Sequence, residues 1–352
     1  MPEHSRDGKL RVLTVGPDIK GQGGISSVLQ AYARCFADFS YAATNSRHGS
    51  LGGALVLGGL LLKLPFYRLA GYKAIHAHGA SRKSFTRKRI VLGWARILGF
   101  RTIFHCHGGG FRTFTAEVGR DRMQRFLDKY DAIGVLSEGW AEFFRDELKC
   151  RNVAVLPNIV EDSGVRSATP HKDEPMRLIF LGKVCREKGC FDLLEALASR
   201  RDVFGGKVEV LVGGTGETEA FDARAKELGV SNMIKMLGWV GPEKKASLIA
   251  EGGVMILPSY IEGMPVSLLE AGVAGMPSIA TRVGAVDELI EDGANGILLE
   301  AGDTAALADA IASYLESPEL RVAHGAEARK RITGHLPDAV HRALDNLYES
   351  IR

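Results

Sequence analysis

Short apolar runs alternate with helical patterns along almost the whole 352-residue chain. Runs such as LRVLTVG (10–16), RTIFHCH (101–107) and MRLIFLG (176–182) carry apolar residues at both odd and even positions. That pattern is typical of parallel strands that are covered on both faces. Stretches with helical periodicity, such as FDLLEALASRR (191–201), lie between the runs. The alternation therefore predicts βαβ units and parallel sheets with helices on both sides.

The pattern occurs twice, and the chain is too long for one ordinary core. A polar segment, 161–175, has no apolar period and predicts a linker. We predict an α/β protein with two doubly wound, Rossmann-like domains, 1–165 and 166–352, and a ligand cleft between the carboxyl ends of their strands. The remaining predicted strands are 74–78, 132–137, 153–158, 207–214, 233–240, 253–259, 276–281 and 296–300, and the remaining predicted helices are 242–251, 267–275 and 305–317.

Charge divides the chain in the same way. Residues 1–160 hold 24 Lys and Arg against 12 Asp and Glu, a net charge of +12, and residues 161–352 hold 21 against 30, a net charge of −9. Opposite signs suggest two domains with different partners. Much of the positive charge lies in a basic amphipathic segment, 81–101. It predicts either a solvated outer helix face or contact with an anionic membrane surface, whereas no nucleic-acid-binding motif accompanies it.

Compartment and membrane insertion are constrained by three further features. The run LGGALVLGGLLL (51–62) has 12 residues, fewer than the roughly 20 that span a bilayer, so we predict a buried or interfacial helix. The first residues are polar and then strand-like, which predicts no secretory signal. Five cysteines without a C-x-x-C pair predict reduced thiols and a cytosolic protein.

Glycine-rich turns and lysines follow several predicted strands. GPDIKGQGGISSVLQ places Gly23 and Gly24 before a helix that Ser26 or Ser27 could cap. Such turns let a backbone approach a phosphate, although this one is not a G-x-G-x-x-G. LGKVCREKG presents Lys183 and Lys188, which either neutralise a diphosphate or are solvated lysines. The strand-end loops VGGTG (212–216) and LGWVG (237–241) could flank a base with backbone atoms and Trp239.

Histidines form a second group of candidates. AIHAHG and IFHCHG each place an H-x-H at a predicted strand end, so His76 and His78, like His105 and His107, share a face. They predict either a metal cluster, and with it a metal-dependent hydrolase, or core histidines bonded to backbone. His107, followed by three glycines, is better explained as a polar group at the cleft.

The segment SYIEGMPVSLLEA (259–271) spaces Glu262 and Glu270 eight positions apart. A turn that ends at Gly263 and a helix that starts near Pro265 explain the Gly-Met-Pro break, because proline suits the first helical position. Both glutamates then flank a helix N-terminus, which attracts anions. The chain contains no D-x-D, so lysines and helix ends must neutralise any bound diphosphate, and we predict no metal.

These motifs together resemble a retaining glycosyltransferase of family 4, a group 1 glycosyl transferase with the GT-B architecture. The resemblance covers nearly the whole chain and implies an acceptor-binding first domain and a nucleotide-sugar-binding second domain, with a last helix (about 336–352) that packs back on the first. The matching segments are GQGGISSVL, HCHGGG, VLPNIVE, LGKVCREKG, LGWV and LPSYIEGMPVSLLEAGVAGMPSIATRVGAVDELIEDGANGILL.

The resemblance implies a role for each glutamate. Glu270 would bind the ribose hydroxyls of the nucleotide and Glu262 the hydroxyls of the donor sugar, since a carboxylate can accept two hydroxyl hydrogen bonds. Lys188 matches the phosphate-binding lysine of the family, whereas Lys183 stands where an arginine is usual. His107 resembles the histidine near the reacting face of the sugar. Other implied donor contacts are Gly23, Gly24, Trp239, Val240, Gly263, Met264, Val266 and Ser267, and the implied acceptor contacts are Ser137 and Glu138.

The implied reaction is transfer of a sugar from a UDP- or GDP-linked donor to a glycan or polyprenyl-linked acceptor, with retention and without metal or other cofactor. His107, Lys188 and Glu262 are the expected catalytic residues. The expected setting is cell-envelope or exopolysaccharide synthesis in the cytoplasm, with peripheral contact at the inner face of an anionic membrane through 82–101. Two alternatives stay open: the metal-dependent hydrolase, and a non-catalytic partner subunit that binds nucleotide sugars.

Overall fold

A computed structural model describes residues 10–46, 49–167 and 175–352. The chain divides into two compact units. The first contains the residues up to Ile159 together with Pro337–Arg352, and the second is Val160–Leu336. The predicted boundary at 165/166 therefore lies a few residues too late, and the last helix belongs to the first unit. Residues 168–174 of the predicted linker lie outside the described part.

The first unit is built on a six-stranded parallel sheet with the strand order β2-β1-β3-β4-β5-β6. Its strands are β1 (Val12–Gly16), β2 (Tyr41–Ala43), β3 (Ala74–Gly79), β4 (Arg101–Cys106), β5 (Ala132–Val135) and β6 (Val153–Val155). Its helices up to β6 are α1 (Gly24–Cys35), α2 (Gly49–Leu69), α3 (Arg82–Ile97), α4 (Phe111–Val118), α5 (Arg120–Leu127) and α6 (Glu138–Glu142), followed by a π-helical turn at Phe143–Glu147.

The second unit is also built on a parallel six-stranded sheet, with the order β12-β11-β10-β7-β8-β9. Its strands are β7 (Met176–Leu181), β8 (Val208–Gly213), β9 (Ile234–Gly238), β10 (Val254–Leu257), β11 (Ser278–Thr281) and β12 (Ile297–Leu299). Its helices are α7 (Cys190–Ser199), α8 (Arg201–Phe204), α9 (Thr218–Glu227), α10 (Pro242–Ala250), α11 (Val266–Ala274), α12 (Val286–Leu289), α13 (Thr304–Glu316) and α14 (Pro318–Arg331), with 3₁₀ turns at Arg186–Lys188, Ser231–Met233 and Ile332–His335.

The last helix, α15 (Pro337–Ser350), packs on the sheet of the first unit. Tyr348 bonds to His76 of β3, and the imidazole of His341 stacks on the ring of Phe36 with 5.1 Å between centroids. Val340, Leu344 and Leu347 are the buried residues of this helix, and their spacing puts them on one face. A chain that leaves the first unit after β6 therefore returns to it at its end.

The predicted strands and helices are all present, with shifted ends, because their apolar periods are long and unbroken. Strand β2 was not predicted, since Tyr41–Ala43 is flanked by Ser40 and Thr44 and does not stand in a continuous apolar run. Helix α2 differs more. It is longer than the predicted apolar run, and its segment Leu51–Leu69 is long and apolar enough to cross a membrane by length and composition. Only 11% of that segment's apolar window is buried, so of the two predicted alternatives, a buried or an interfacial helix, the buried one is wrong.

Candidate functional site

The second sheet reverses its direction of winding between β7 and β10. The chain runs outward from β7 to β8 and β9 on one side, and from β10 to β11 and β12 on the other. In open α/β sheets, ligands bind outside the carboxyl ends of the strands at such a switch point. The loops that follow β7 and β10 carry Lys188 and Glu262. The topology thus brings these two predicted residues to one place.

The two loops lie directly against each other. The 3₁₀ turn that follows β7 ends at Gly189, which has a φ of 65°. A Cβ atom at this position would lie 1.8 Å from the carbonyl oxygen of Pro258, so a side chain does not fit. The backbone N–H of Tyr260 also donates to the carbonyl of Glu187 at 2.9 Å. This close approach fixes the position of Lys188 relative to the loop after β10.

Lys188 and Glu262 form an ion pair at this point. Lys188 Nζ lies 2.7 Å from Glu262 Oε1, and Ser259 Oγ donates to the same oxygen at 2.7 Å. The side chain of Glu262 is 9% exposed and that of Lys188 is 27% exposed. A carboxylate buried to this extent needs charge-assisted partners, and the lysine and the serine supply them.

The loop that carries Glu262 is held from behind by the chain after β11. Thr281 Oγ1 donates to the carbonyl of Ser259, and the N–H of Ala285 donates to the carbonyl of Gly263 at 2.8 Å. Gly284 lies so close that a Cβ there would be 2.1 Å from the carbonyl oxygen of Glu262. The backbone at Glu262 is therefore positioned by the fold before any ligand binds.

Helix α11 begins at Val266, with Pro265 just before it, as the Gly-Met-Pro break predicted. The first N–H groups of a helix have no intrahelical acceptor. Among the described residues, no side chain caps the N-terminus of α11 and accepts from them. Ser267 is half-buried in the first turn, while Met264 is buried before it. Such a helix end attracts anions, and it lies beside the Lys188–Glu262 pair.

Glu270 lies in the second turn of α11, as predicted, and forms an ion pair with Lys245 of α10. Both side chains are mostly buried, at 21% and 23% exposed. Lys245 was not among the site residues predicted from the sequence. The available signal was its position on α10, the helix that immediately precedes β10. A lysine there can reach a glutamate on α11, the helix that follows the same strand.

The other predicted donor contacts lie at the ends of β7, β8 and β9. Lys183 is exposed just after β7, beside the glycine loop after β8, where a Cβ on Gly216 would lie 3.3 Å from Lys183 Cγ. Trp239 follows β9 and is 52% exposed, and Val240 next to it is 9% exposed. An exposed indole at a strand end is available to a flat ligand, so these residues remain candidates.

In the first unit, Gly23 and Gly24 lie at the N-terminus of α1. The helix begins at Gly24, and Gly23 precedes it with a φ of 134°. The expected serine cap is wrong, because Ser26 and Ser27 lie inside the helix and donate to the carbonyls of Asp18 and Gly23. The helix N-terminus is uncapped by side chains.

Ser137 and Glu138, the predicted acceptor contacts, lie after β5. Ser137 is buried, and its hydroxyl accepts the N–H of Trp140 at 3.3 Å as the N-cap of α6. Glu138 is exposed and pairs with Arg145 at 3.1 Å. The hydroxyl of Ser137 thus has a structural role in the first turn of α6, and its predicted contact with an acceptor stays a prediction.

The four histidines of the paired H-x-H motifs form one cluster, in which His107 is half-buried and the other three are buried. Two short hydrogen bonds organise it: His76 Nδ1 to Tyr348 Oη and His78 Nδ1 to His107 Nε2, each 2.8 Å. His105 Nε2 lies 3.0 Å from the carbonyl of Leu156, which can only accept, so that nitrogen carries the proton. His105 Nδ1 then accepts from His76 Nε2 at 3.3 Å, which leaves His76 Nδ1 to accept from Tyr348.

Burial lowers the pKa of all four imidazoles. It lowers the pKa of His76 and His107 to about 3 and the pKa of His78 and His105 well below 6.5. Repulsion from the protonated forms of neighbouring basic groups lowers the pKa further. Nearby Lys88 contributes to this lowering at His78 and His107. The cluster is therefore neutral at pH 7.

Lys88 belongs to the basic segment 81–101, for which the sequence predicts either a solvated outer helix face or contact with a membrane surface, and the structure places this residue in neither setting. It is fully buried, and its Nζ donates to Thr44 Oγ1 at 2.6 Å. Burial lowers the pKa of Lys88 to about 7. The helical spacing was the missed signal, since Lys88 shares a face with the buried residues Phe85, Leu92 and Ala95.

Three of the histidines could be considered as metal ligands. One nitrogen from each of His76, His78 and His105 lies within 4.8 Å of the others. No carboxylate belongs to this group within the described residues, and Lys88 places a cation beside it. Together with the bond between His76 and His105, the hydrogen bonds to Tyr348, His107 and Leu156 instead account for five of the six ring nitrogens. This arrangement favours the alternative of core histidines.

Comparison with known proteins bears on the second unit directly. Residues 164–331 match the family model described as glycosyl transferases group 1. They form a group 1 glycosyl transferase domain. The predicted resemblance is thereby confirmed, and the finer assignment to family 4 is consistent with it.

Two curated relatives agree with the glycosyl transferase domain. The chain is 30% identical to a D-inositol 3-phosphate glycosyltransferase of Corynebacterium jeikeium over 179 residues, which is 49% of this chain and 43% of that protein. It is 34% identical to a phosphatidyl-myo-inositol mannosyltransferase of Mycobacterium leprae over 184 residues, 50% of this chain and 48% of that one. The chain spans less than half the length of these relatives.

Solved structures extend the likeness of the glycosyl transferase domain to the whole fold. Sucrose-phosphate synthase from Thermosynechococcus elongatus matches with a TM-score of 0.80 at 17% identity, covering 96% of this chain and 98% of that one. HepE of Anabaena in complex with UDP matches with a TM-score of 0.78 at 15% identity, covering 97% and 100%. The predicted fold class, two Rossmann-like units of the GT-B kind, is confirmed.

Proposed function

We propose that this protein transfers a sugar from a nucleoside-diphosphate sugar to a glycan or polyprenyl-linked acceptor, with retention of the anomeric configuration. The observation that carries the proposal is the Lys188–Glu262 pair at the β7/β10 switch point, 2.7 Å apart and beside the uncapped N-terminus of α11. A cation, a helix end and a carboxylate together suit a ligand with a diphosphate and sugar hydroxyls. The solved HepE structures with UDP and UDP-glucose support a nucleotide-sugar donor.

Each group has a distinct role in the proposed reaction. The N–H groups of Val266 and Ser267 and the ammonium of Lys188 would stabilise the negative charge that develops on the departing diphosphate. Glu262 would accept hydroxyl hydrogen bonds from the donor sugar and Glu270 from the ribose. Preorganised donors matter because they need no rearrangement as the bond to the leaving group breaks.

The acceptor proton would pass to the departing diphosphate oxygen on the same face of the sugar. A double-displacement reaction would instead need a second carboxylate as nucleophile, some 5–5.5 Å from the first. Among the described residues of the second unit, Glu262 is paired with Lys188 and Glu270 with Lys245, so neither is a ready nucleophile. His107 of the first unit would contact the reacting sugar, although its imidazole is neutral at pH 7.

The free cysteines and the basic first half support a cytoplasmic enzyme at the inner face of a membrane. This location, like the reaction without metal, is part of the proposal.

The experiment that tests the proposal compares nucleotide binding with turnover. UDP, GDP and ADP are titrated calorimetrically, with and without EDTA, and sugar transfer is followed with the donors that bind. Glu270→Ala is expected to weaken nucleotide binding about 10- to 100-fold, because hydrogen bonds to a charged group contribute about 1.5–3 kcal/mol. Lys188→Ala is expected to lower kcat about 10²- to 10³-fold as well, because it removes a stabiliser of the leaving group.

Matched controls are Glu316→Ala and Lys207→Ala, exposed residues of the same unit. Lys207 precedes β8, at the amino end of the sheet, away from the site. Normal kinetics in Glu270→Ala and Lys188→Ala would refute the site. Tight nucleotide binding without transfer to any acceptor would instead favour the non-catalytic partner subunit.

A further inference from the structure

Helix α2 exposes five large apolar side chains along one line. Leu51, Leu55, Leu62, Phe66 and Leu69 are 76%, 71%, 75%, 69% and 85% exposed. At 3.6 residues per turn, their spacing places them within about 60° of the helix circumference, over a length of about 27 Å. A face that is both apolar and this exposed is costly in water and marks a surface that another body covers.

The opposite side of α2 fixes the helix to the first unit. Leu60 and Leu64 are buried, at 4% and 0% exposed, and point away from the exposed line. The indole N–H of Trp94 on α3 donates to the carbonyl of Leu61 at 3.1 Å. A helix held to the unit at 60–64 in this way lies on the unit and is placed to rest in a membrane interface, rather than to cross a bilayer alone.

Helix α3 continues the apolar surface. Ile90, Trp94 and Ile97 are 43%, 38% and 75% exposed, and their spacing puts them on one face. Trp94 joins the two helices through its bond to Leu61. We call these eight side chains, five from α2 and three from α3, the apolar patch.

The charged residues of the segment that carries the apolar patch all have the same sign. Residues 49–101 contain ten Lys and Arg and no Asp or Glu. Lys63 lies within α2, and Lys83 and Arg96 lie on α3; all three are exposed. Apolar side chains that enter the acyl region and basic ones that meet anionic headgroups are the composition of an interfacial helix.

We propose that the apolar patch docks the protein on an anionic lipid bilayer, with α2 lying in the interface. This moves the membrane contact expected at 82–101 mainly to 49–69, because α3 uses much of its apolar side inside the unit, where Phe85, Val91, Leu92 and Ala95 are buried.

A bilayer fits this surface better than a second copy of the chain. In a twofold dimer the same patch faces itself, so the basic residues of 49–101 would meet their own counterparts without an acidic residue from the same segment to pair with. Like charges brought together across an interface disfavour it, whereas anionic lipids compensate them. The docking proposal does not depend on the proposed reaction, since binding to lipid is measured without a donor.

The first test is vesicle flotation of the full chain. Vesicles of phosphatidylcholine alone are compared with vesicles that contain phosphatidylglycerol, at low and high salt. The protein is expected to float with the anionic vesicles, and less so at high salt. The double variant Leu55→Asp/Leu62→Asp is expected to weaken binding about 100-fold or more, because both leucines are exposed in the free protein and buried in the bound one. The triple variant Lys63→Gln/Lys83→Gln/Arg96→Gln should weaken it about fivefold per charge.

The control is Val322→Asp, which introduces one aspartate, against two in the leucine variant, at an apolar residue of the second unit that is 48% exposed. It should bind vesicles like the unmodified protein. Circular dichroism checks that each variant is folded.

A second measurement places the patch in the lipid. Brominated acyl chains are expected to quench the fluorescence of Trp94, and Trp94→Phe should remove most of the quenching, because Trp140 is buried and Trp239 lies in the second unit. No flotation, flotation that the leucine variants leave unchanged, or a stable dimer in sedimentation that the same variants dissociate would each overturn the proposal.

Discussion

Mild acid should destabilise the first unit through its buried histidines. His76 and His107 have pKa values of about 3 in the folded protein, against 6.5 for an unperturbed histidine, because burial disfavours the charged imidazole. Between these two values the unfolded chain binds protons that the folded unit excludes. The free energy of unfolding is therefore unaffected well above pH 6.5 and falls as the pH drops through 6.5 toward 3.

The size of the effect follows from the shift of the pKa. Each pH unit below 6.5 costs about 1.4 kcal/mol per histidine until the folded pKa is reached. On going from about pH 7.5 to 5.5, His76 and His107 together should lower the free energy of unfolding by about 3 kcal/mol. His78 and His105, whose pKa values are also lowered, add to the loss in the same direction. A loss of this size is a large part of the stability of an ordinary domain.

The assay must separate the two units. The chain has three tryptophans, of which Trp94 and Trp140 lie in the first unit and Trp239 in the second. In Trp239→Phe, fluorescence therefore reports on the first unit alone. Urea unfolding of this variant, repeated between about pH 5 and 8, gives the slope of the free energy of unfolding against pH. The slope divided by 2.303RT equals the number of protons taken up on unfolding.

Replacing one histidine provides the comparison. In the Trp239→Phe background, His78→Leu should reduce the slope by about one proton, since it removes one buried imidazole. A parent slope near zero between pH 5 and 6.5, or the same slope in His78→Leu, would show that the cluster is not held neutral and would refute the explanation.

Three further changes have defined outcomes. Lys88→Met should stabilise the first unit, because the pKa of about 7 of the buried amine means that folding disfavours its charged form. The gain in the free energy of unfolding should be largest at pH 7 and below and should shrink as the pH rises toward 10.5. If Lys88 were solvated, urea unfolding would show the same difference between variant and parent at every pH. Gly189→Ala should destabilise the second unit by about 2 kcal/mol or more, because its Cβ would lie 1.8 Å from the oxygen of Pro258 and its φ is 65°; an unchanged urea midpoint contradicts the close approach of these loops. Lys245→Met should raise the Kd for the nucleotide about 3- to 10-fold by releasing Glu270, and calorimetry that finds equal affinity would show that the pair does not orient this glutamate.

Much of the fold could be predicted from the sequence, because its signals are local. Parallel strands inside a sheet that is covered on both faces are continuous apolar runs. Eleven of the twelve strands were predicted from such runs, whereas β2, which is flanked by polar residues, was not. The Gly-Met-Pro break predicted the start of α11 for an equally local reason, the fixed φ of proline. The residues of the candidate site and their common ligand were predicted from motifs, whereas the ion pair between Lys188 and Glu262 was not, since it depends on the strand order of the second sheet.

What the sequence alone determined is which residues are apolar, charged or conformationally restricted, and with what period. The tertiary structure decided which helix and strand faces pack against another element and which stay exposed. Lys88 is buried because its helix face packs on the sheet, and Lys245 meets Glu270 because α10 and α11 are neighbours. Helix α2 carries leucines on two sides, and only the packing of Leu60 and Leu64 shows which side is covered. Burial depends on contacts between segments far apart in the chain, and a local period does not contain that information.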